Sequence, residues 1–181
     1  MLKDGASQYR AQLSFTGGGD NATYYVSGAY FNEDGIYRTR SAENKYNTNS
    51  TYERYNYRAN TTMNITRTTV LSVGIGGYLI NRTQPGSTSA DIWQAFSEYT
   101  PLTTPRKWST GQWPIVNGKK TPEFLMTQTG YKTIWQNKME TNVSLDQKLD
   151  FITKGLTFSG TFAFDTWNDN TITRSKSPDL W

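Results

Sequence analysis

The chain has 181 residues, of which 35% are apolar and 14% aromatic, and its formal net charge is +4. A disordered chain of this polarity (mean hydropathy −0.72) would be poor in aromatic residues, so the composition excludes disorder. The absence of histidine and cysteine excludes a Ser-His-Asp triad, thiolate catalysis and a structural zinc site. No polybasic run points to nucleic acid. We therefore predict a protein that is not an enzyme and that binds no metal, cofactor or nucleic acid.

A first hairpin is predicted from the alternation of apolar and polar residues. Residues 7–16 place apolar side chains such as Tyr9 and Phe15 on one face of a strand. Glycine, aspartate and asparagine at 17–21 form a tight turn, because these residues tolerate positive φ. The chain then returns over residues 22–31 and enters a polar stretch that is predicted to be a loop.

Two further hairpins are predicted, from residues 55–66 with 70–80 and from residues 141–149 with 156–165. The most apolar window, 70–80, is too short and too rich in glycine for a transmembrane helix. A membrane β-strand needs only about 9–11 residues with alternate positions apolar. A helical membrane protein is therefore excluded and a membrane β-barrel is not. The tail, 167–181, is predicted to be a polar loop.

Residues 81–138 are predicted to be one long extracellular loop with a short amphipathic helix near 89–99. Thr88 and Asp91 resemble a capping box, and apolar residues then recur at helical spacing until Pro101 ends the run. A loop of this length is usually functional when it is ordered.

These elements predict an all-β fold, namely an antiparallel up-and-down transmembrane β-barrel segment of about six strands in three hairpins. Within each hairpin the turn is short, whereas the connections between hairpins are long and lie at the same end. Outer-membrane barrels have this asymmetry, with short periplasmic turns and long extracellular loops. The sequence therefore favours a location in the bacterial outer membrane.

The two faces of such a wall would meet different solvents. The side chains expected to contact membrane lipid are Leu71, Val73, Ile75, Leu79, Leu156, Phe158, Phe162 and Phe164. The polar side chains expected to face a wet lumen are Arg10, Arg58, Asn60, Asn64, Asp146 and Lys148. The opposite assignment would place arginine and lysine in lipid, at roughly 2–4 kcal/mol each near the midplane. An interfacial aromatic girdle is expected from Tyr9, Tyr55, Tyr57 and Trp167.

Three stretches of the sequence resemble parts of one known protein family. The first is residues 16–36 (TGGGDNATYYVSGAYFNEDGI), the second 54–60 (RYNYRAN) and the third 145–156 (LDQKLDFITKGL). Together they resemble the barrel of SusC/RagA-like TonB-linked outer-membrane transporters, and the first is similar to the hairpin that starts that barrel. The stretches occur in the family's order, with the long loop between the second and the third.

The resemblance implies a transporter that imports glycans, oligopeptides or similar nutrients across the outer membrane. It implies two protein partners, a SusD-like surface lipoprotein and TonB. Large transporters of this kind close with about 22 strands around a plugged lumen. Residues 1–181 are therefore expected to be a partial barrel, without the plug domain, the TonB box and the remaining strands. The imported substrate cannot be read from the sequence.

Aromatic residues of the long loop are the candidates for contact with a ligand or a partner, namely Trp93, Phe96, Tyr99, Trp108, Trp113 and Trp135. On an extracellular loop such rings would stack on sugars or contact the lipoprotein. The alternative is that each ring packs the loop against itself and the barrel, because Trp and Tyr supply much of the buried area of any ordered loop.

Two other interpretations of the whole chain stay open. In a soluble carbohydrate-binding β-sandwich, the apolar faces of the strands would form a core. In a non-transporting outer-membrane barrel or adhesin, the wall would be the same but no activity would depend on TonB.

Overall fold

A computed structural model describes residues 1–38, 46–102 and 104–178 of the chain. A single six-stranded antiparallel sheet dominates it, with the order β1-β2-β3-β4-β7-β8. In chain order the elements are β1 (Gln8–Gly18), β2 (Ala22–Asp34), β3 (Thr51–Asn64), β4 (Thr69–Pro85), α1 (Ser89–Glu98), β5 (Ile115–Val116), β6 (Lys119–Lys120), α2 (Pro122–Thr127), β7 (Gly130–Lys148) and β8 (Thr157–Ser175).

The up-and-down arrangement of the sheet confirms the predicted all-β fold with three hairpins. The turns within the hairpins are 19–21, 65–68 and 149–156, and they meet at one end of the sheet. The longer connections, 35–50 and 86–129, lie at the other end. Within the described residues the sheet is open, because β1 and β8 each pair on one side only.

The strand register gives the sheet two chemically different faces. Directly opposed residues lie on the same face, and one such row runs across all six strands through Leu13, Gly28, Tyr57, Gly77, Met139 and Thr166. We call the face that contains this row the apolar face. It holds the odd-numbered residues of β1, β3, β4 and β7 and the even-numbered residues of β2 and β8. The other face is the polar face.

The last two strands are longer than their alternation predicts. Strand β7 begins at Gly130 and β4 ends at Pro85, so the connection between them is 86–129 and not 81–138. Strand β8 continues to Ser175, so most of the tail that was predicted as loop is strand. Near the long connections both faces carry polar residues, so apolar and polar residues no longer alternate along the sequence. Pairing between β7 and β8 still satisfies the backbone N–H and C=O groups with hydrogen bonds.

One glycine marks the start of this extra pairing. Gly130 opposes Ser175 and has a φ of +95°, a left-handed conformation that favours glycine. A Cβ at this position would collide with the carbonyl oxygen of Arg174 on the neighbouring strand. The chain therefore enters β7 through a turn that only glycine makes without strain.

The connection 86–129, which we call the cap, folds into two short helices and a small hairpin. The predicted helix near 89–99 is confirmed as α1, and Thr88 is its N-cap: its Oγ1 accepts from the Asp91 amide at 3.1 Å. Helix α2 was not predicted, and Thr121 caps it in the same way. Between them, Asn117 and Gly118 have positive φ, as a two-residue turn between β5 and β6 requires.

The cap carries its own hydrophobic core. Ile92 of α1 and Met126 of α2 are both fully buried. Tyr37, from the connection between β2 and β3, packs with them, and Leu2 is partly buried against the same cluster. The N-terminal residues and two loops are thus joined into one packed unit at the end of the sheet opposite the short turns.

No helix in the described part of the chain is both long enough and apolar enough to cross a membrane.

Candidate functional site

The apolar face is free of charge over most of its height. Its charged side chains are Asp34, Glu53 and Arg174, and all three lie toward the long connections. Below them, from the row of Ala11 to the short turns, the strand residues on this face are uncharged. On an ordinary soluble surface, charged residues would be scattered over both faces.

The same face is also exposed. Side chains that are between 39% and 66% exposed there are Tyr9, Leu13, Phe15, Tyr24, Val26, Tyr55, Ile75, Trp135, Leu145, Phe158, Phe162, Phe164 and Ile172. A contiguous exposed apolar surface of this extent marks an interaction site and not an ordinary solvated face. On β7 every residue of this face, from Tyr131 to Gln147, is uncharged, so the stretch is longer than the roughly 9–11 residues that a tilted membrane strand needs.

Aromatic rings form a ladder at the upper edge of this uncharged surface. The ring centroids of Tyr9 and Tyr30 are 6.1 Å apart, and those of Tyr30 and Tyr55 are 4.9 Å apart. The ladder therefore crosses β1, β2 and β3, with Tyr30 and Tyr55 directly opposed and Tyr9 one row nearer the long connections. Trp167, which was predicted to belong to such a girdle, lies instead in the middle of β8 on the polar face. That prediction was wrong because the strand was expected to end at residue 165, and β8 continues for ten more residues, so Trp167 is not near its end.

The polar face holds all six side chains that were predicted to face a lumen, namely Arg10, Arg58, Asn60, Asn64, Asp146 and Lys148. Several polar side chains on this face bond across strands: Ser159 Oγ donates to Asp146 Oδ1 at 2.6 Å, and the Ser144 and Thr161 hydroxyl oxygens are 3.1 Å apart. The face is therefore a hydrogen-bonded polar surface rather than a set of separate charges.

Sequence reasoning missed the charged groups at the centre of the polar face. Arg54 lies over the ring of Tyr78, 4.6 Å from its centroid, and Lys138 forms an ion pair with Glu140. These side chains, with Arg58, line a depression of about 370 Å³. Arg54, Lys138 and Glu140 fell outside the strands predicted at 55–66 and 141–149, and the cross-strand register brings them together with Arg58.

The six candidate aromatic residues divide into four groups. Trp93 and Trp108 are 49% and 41% exposed on the cap, so their rings are accessible to a ligand or a partner. Trp113 is 6% exposed and meets Phe124 edge to face at 5.8 Å, with Lys107 over its ring, so it packs the cap.

Phe96 and Tyr99 are half-buried, and the Phe96 ring lies 5.5 Å from that of Trp93. Trp135 is not in a loop, because it lies on β7 and projects from the apolar face.

A cleft of about 470 Å³ lies between α1, α2 and the hairpin of the cap. Tyr99 lines it, together with an ion pair in which Lys119 Nζ is 2.9 Å from Glu98 Oε2. The hydrogen bond from Lys119 lowers the pKa of Glu98, and a second hydrogen bond from the Gln94 side chain acts in the same direction. Beneath the cleft, Arg106 donates two hydrogen bonds of 2.6 Å to the buried carboxylate of Glu123.

The described residues contain no cluster of three or more acidic side chains that would hold a metal ion. Comparisons with protein families, with curated proteins and with solved structures find no match to this chain. The geometry of the two faces and of the cap therefore carries the functional argument by itself.

Proposed function

We propose that this chain forms part of the wall of an outer-membrane β-barrel, in a SusC/RagA-like TonB-dependent transporter that imports glycans, oligopeptides or similar nutrients. The observation that carries the proposal is the exposed apolar face of a six-stranded up-and-down sheet, which is free of charge over most of its height. The polar face would line the lumen. The short turns would lie in the periplasm and the cap would lie outside the cell.

Lipid accounts for the apolar face in a way that water does not. Burying a Leu or Phe side chain fully is worth about 1.5–3 kcal/mol, and this face leaves Leu13, Phe15 and Phe162 more than half exposed. Of the two faces, only this one lacks charges in its central rows. Every backbone group in lipid needs an internal partner, which antiparallel pairing provides between adjacent strands.

A soluble β-sandwich fits these features less well. In a sandwich a second sheet covers the apolar face at about 10 Å. Among residues 1–38, 46–102 and 104–178, the other sheet is the two-stranded hairpin of the cap, and the apolar side chains stay exposed. The edges of β1 and β8 would pair with further strands, since a transporter barrel of this kind closes with about 22 strands.

The cap supplies the surface that a substrate or a surface lipoprotein would contact. Its exposed rings, Trp93 and Trp108, are the best candidates for such contacts. Trp113 and Phe124 would hold the cap in shape without touching a ligand.

Cell fractionation tests the membrane part of the proposal. We expect the protein in the outer-membrane fraction, released by detergent and not by high salt or carbonate. A monodisperse soluble monomer of the 181-residue chain would contradict the proposal and would favour the soluble β-sandwich.

Dependence on TonB tests the transport part separately. Uptake of the nutrient on which the native protein supports growth should be lost when TonB is deleted, and the protein should co-purify with a surface lipoprotein. If the protein is in the outer membrane but its activity does not change without TonB, it is a non-transporting barrel or an adhesin.

A further inference from the structure

At the short-turn end of the sheet, exposed apolar side chains lie in the turns and belong to neither face. Phe151 is 80% exposed and Ile152 is 64% exposed, both in the turn between β7 and β8. On the neighbouring turn, between β3 and β4, Ile65 is 56% exposed. These residues lie beyond the last rung of the sheet, so strand alternation does not account for them.

The turn that carries Phe151 and Ile152 is held by hydrogen bonds. The Leu149 amide donates to the Leu156 carbonyl at 2.8 Å, which extends the ladder by one rung below β7 and β8. The amide of Ile152 donates back to the Leu149 carbonyl at 2.8 Å. The amide of Gly155 donates to the Asp150 carboxylate, also at 2.8 Å. The exposed pair is therefore presented on a built turn.

The two turns form one surface, because β4 and β7 are neighbours. The Lys148 amide donates to the Thr68 carbonyl at 2.8 Å, and Thr69 Oγ1 donates to Gln147 Oε1 at 2.6 Å. Each turn adds a cation beside its apolar residues, Arg67 on one and Lys154 on the other. Asp150, the acidic residue of the longer turn, is engaged within it by Gly155.

This combination suits the boundary of a phospholipid leaflet. Apolar side chains with adjacent basic groups bind where acyl chains meet phosphates, and Lys and Arg beside them are attracted to anionic headgroups. The surface is also continuous with the apolar face, through the extra rung formed by Leu149 and Leu156. A protein partner would use similar apolar residues but would have no reason to continue the face that meets lipid.

We propose that residues 65–68 and 149–156 anchor the sheet in the phospholipid headgroup region. Phe151 and Ile152 insert among the acyl-chain carbons next to the headgroups, and Arg67 and Lys154 contact lipid phosphates. This inference rests on the proposed function, because it requires the apolar face to be in the same membrane. It goes further in assigning a lipid-binding role to the turns, which in the proposed wall otherwise serve only to connect strands.

The absence of cysteine makes a direct test available, since one introduced thiol is unique in the chain. The full chain is reconstituted in phosphatidylethanolamine–phosphatidylglycerol vesicles that contain lipids brominated at a shallow or a deep position. A fluorophore is attached to F151C in the turn, to F162C on the apolar face, or to D20C in the turn between β1 and β2. The last is the control, because that turn, 19–21, has no apolar residue.

We expect loss of fluorescence at 151 mainly with the shallow quencher, loss at 162 mainly with the deep quencher, and no loss at 20. If 162 is quenched and 151 is not, the anchor is wrong and the proposed function stands; a protein that covers the turn would give this result. If 162 is not quenched, the proposed function fails and the anchor fails with it. Phe151 and Phe162 are exposed, so neither substitution removes packing that the sheet needs.

Discussion

The cap and the sheet handle their apolar residues in opposite ways. In the cap, Ile92 and Met126 are fully buried against each other, as in any small soluble unit. In the sheet, Phe162 and Leu13 stay more than 60% exposed, although the sheet has most of the residues of the chain. The same sequence therefore builds one region that buries its apolar side chains internally and one that leaves them exposed on one face.

The distribution of charge follows the same division. Ionic groups of the cap lie at its surface or, like Glu123, are paired with a cation. In the sheet, the central charges lie on the polar face alone. Water on all sides explains the cap, whereas the proposed wall would have water on one side of the sheet and lipid on the other.

Removing a core side chain should unfold the cap and leave the sheet intact. Met126→Ala creates a cavity at a fully buried position, so the free energy of local unfolding of the cap should fall by about 2–5 kcal/mol. Hydrogen exchange followed by mass spectrometry would show lost protection in peptides from 86–129 and in the segments around Leu2 and Tyr37 that pack on the same core, but not in the sheet. Trp93→Ala, at an exposed position, is the matched control. Equal loss of protection in the sheet would contradict the independence of the two regions.

Charge on the apolar face should destabilise the sheet in a membrane. Phe162→Arg should lower the free energy of unfolding in bilayers by about 2–4 kcal/mol, because the guanidinium would lie in lipid. Ala163→Arg, at the next residue of β8 but on the polar face, should change it by about 0.5 kcal/mol or less. Denaturant titration of the reconstituted chain measures both. Similar effects of the two substitutions would mean that the two faces do not differ in their solvent.

The buried ion pair of the cap should matter more than the exposed one. Glu123→Gln loses charged hydrogen bonds to Arg106, and we expect a loss of about 1–3 kcal/mol in the stability of the cap. The value lies below that for a fully buried pair, because Arg106 is 36% exposed and water screens it. Glu98→Gln should have a much smaller effect. Thermal unfolding of both variants measures the two losses of stability. A larger loss for Glu98→Gln than for Glu123→Gln would contradict the greater importance of the buried ion pair.

The smallest expected effect is a dependence on pH. Lys119 and Gln94 lower the folded-state pKa of Glu98, so the stabilisation from its ionised form is present above its unfolded pKa and is lost as the pH falls through the lowered value. Lys119→Met should raise the pKa of Glu98 back toward its ordinary value. Titration of its carboxyl carbon by NMR measures the change. An unchanged pKa would mean that Lys119 does not hold the carboxylate in solution.

Much of the sheet was predictable, because its apolar face is encoded in a strict period of two. Strands β1 to β4 follow the predicted alternation, and all six candidate lumen residues share one face. The upper halves of β7 and β8 were not predictable in this way. Around Asn137 and Asn168 polar residues lie on both faces, so pairing with the neighbouring strand and not an alternation of residue types defines the structure.

The cap was predictable only in part. The sequence signals of α1 are clear, and those of α2 were available in Thr121, Pro122 and Glu123: an N-cap, a proline in the first turn and an acidic residue beside it. Which aromatic rings are buried was not predictable, because Trp108 and Trp113 lie five residues apart in one connection and it is tertiary packing that buries the second and not the first. The ion pair of Arg106 with Glu123 likewise joins positions that no local pattern connects.

The most direct test of the central claim is a spin-label scan along residues 157–165 of β8 in bilayers, with accessibility to oxygen and to a water-soluble nickel complex measured at each position. Oxygen concentrates in lipid and the nickel complex stays in water. Oxygen accessibility should peak at the even-numbered positions, which belong to the apolar face, and nickel accessibility at the odd-numbered ones. Low accessibility to both at the even positions would indicate a protein core, and high accessibility to nickel would indicate water; either result would contradict a face that meets lipid.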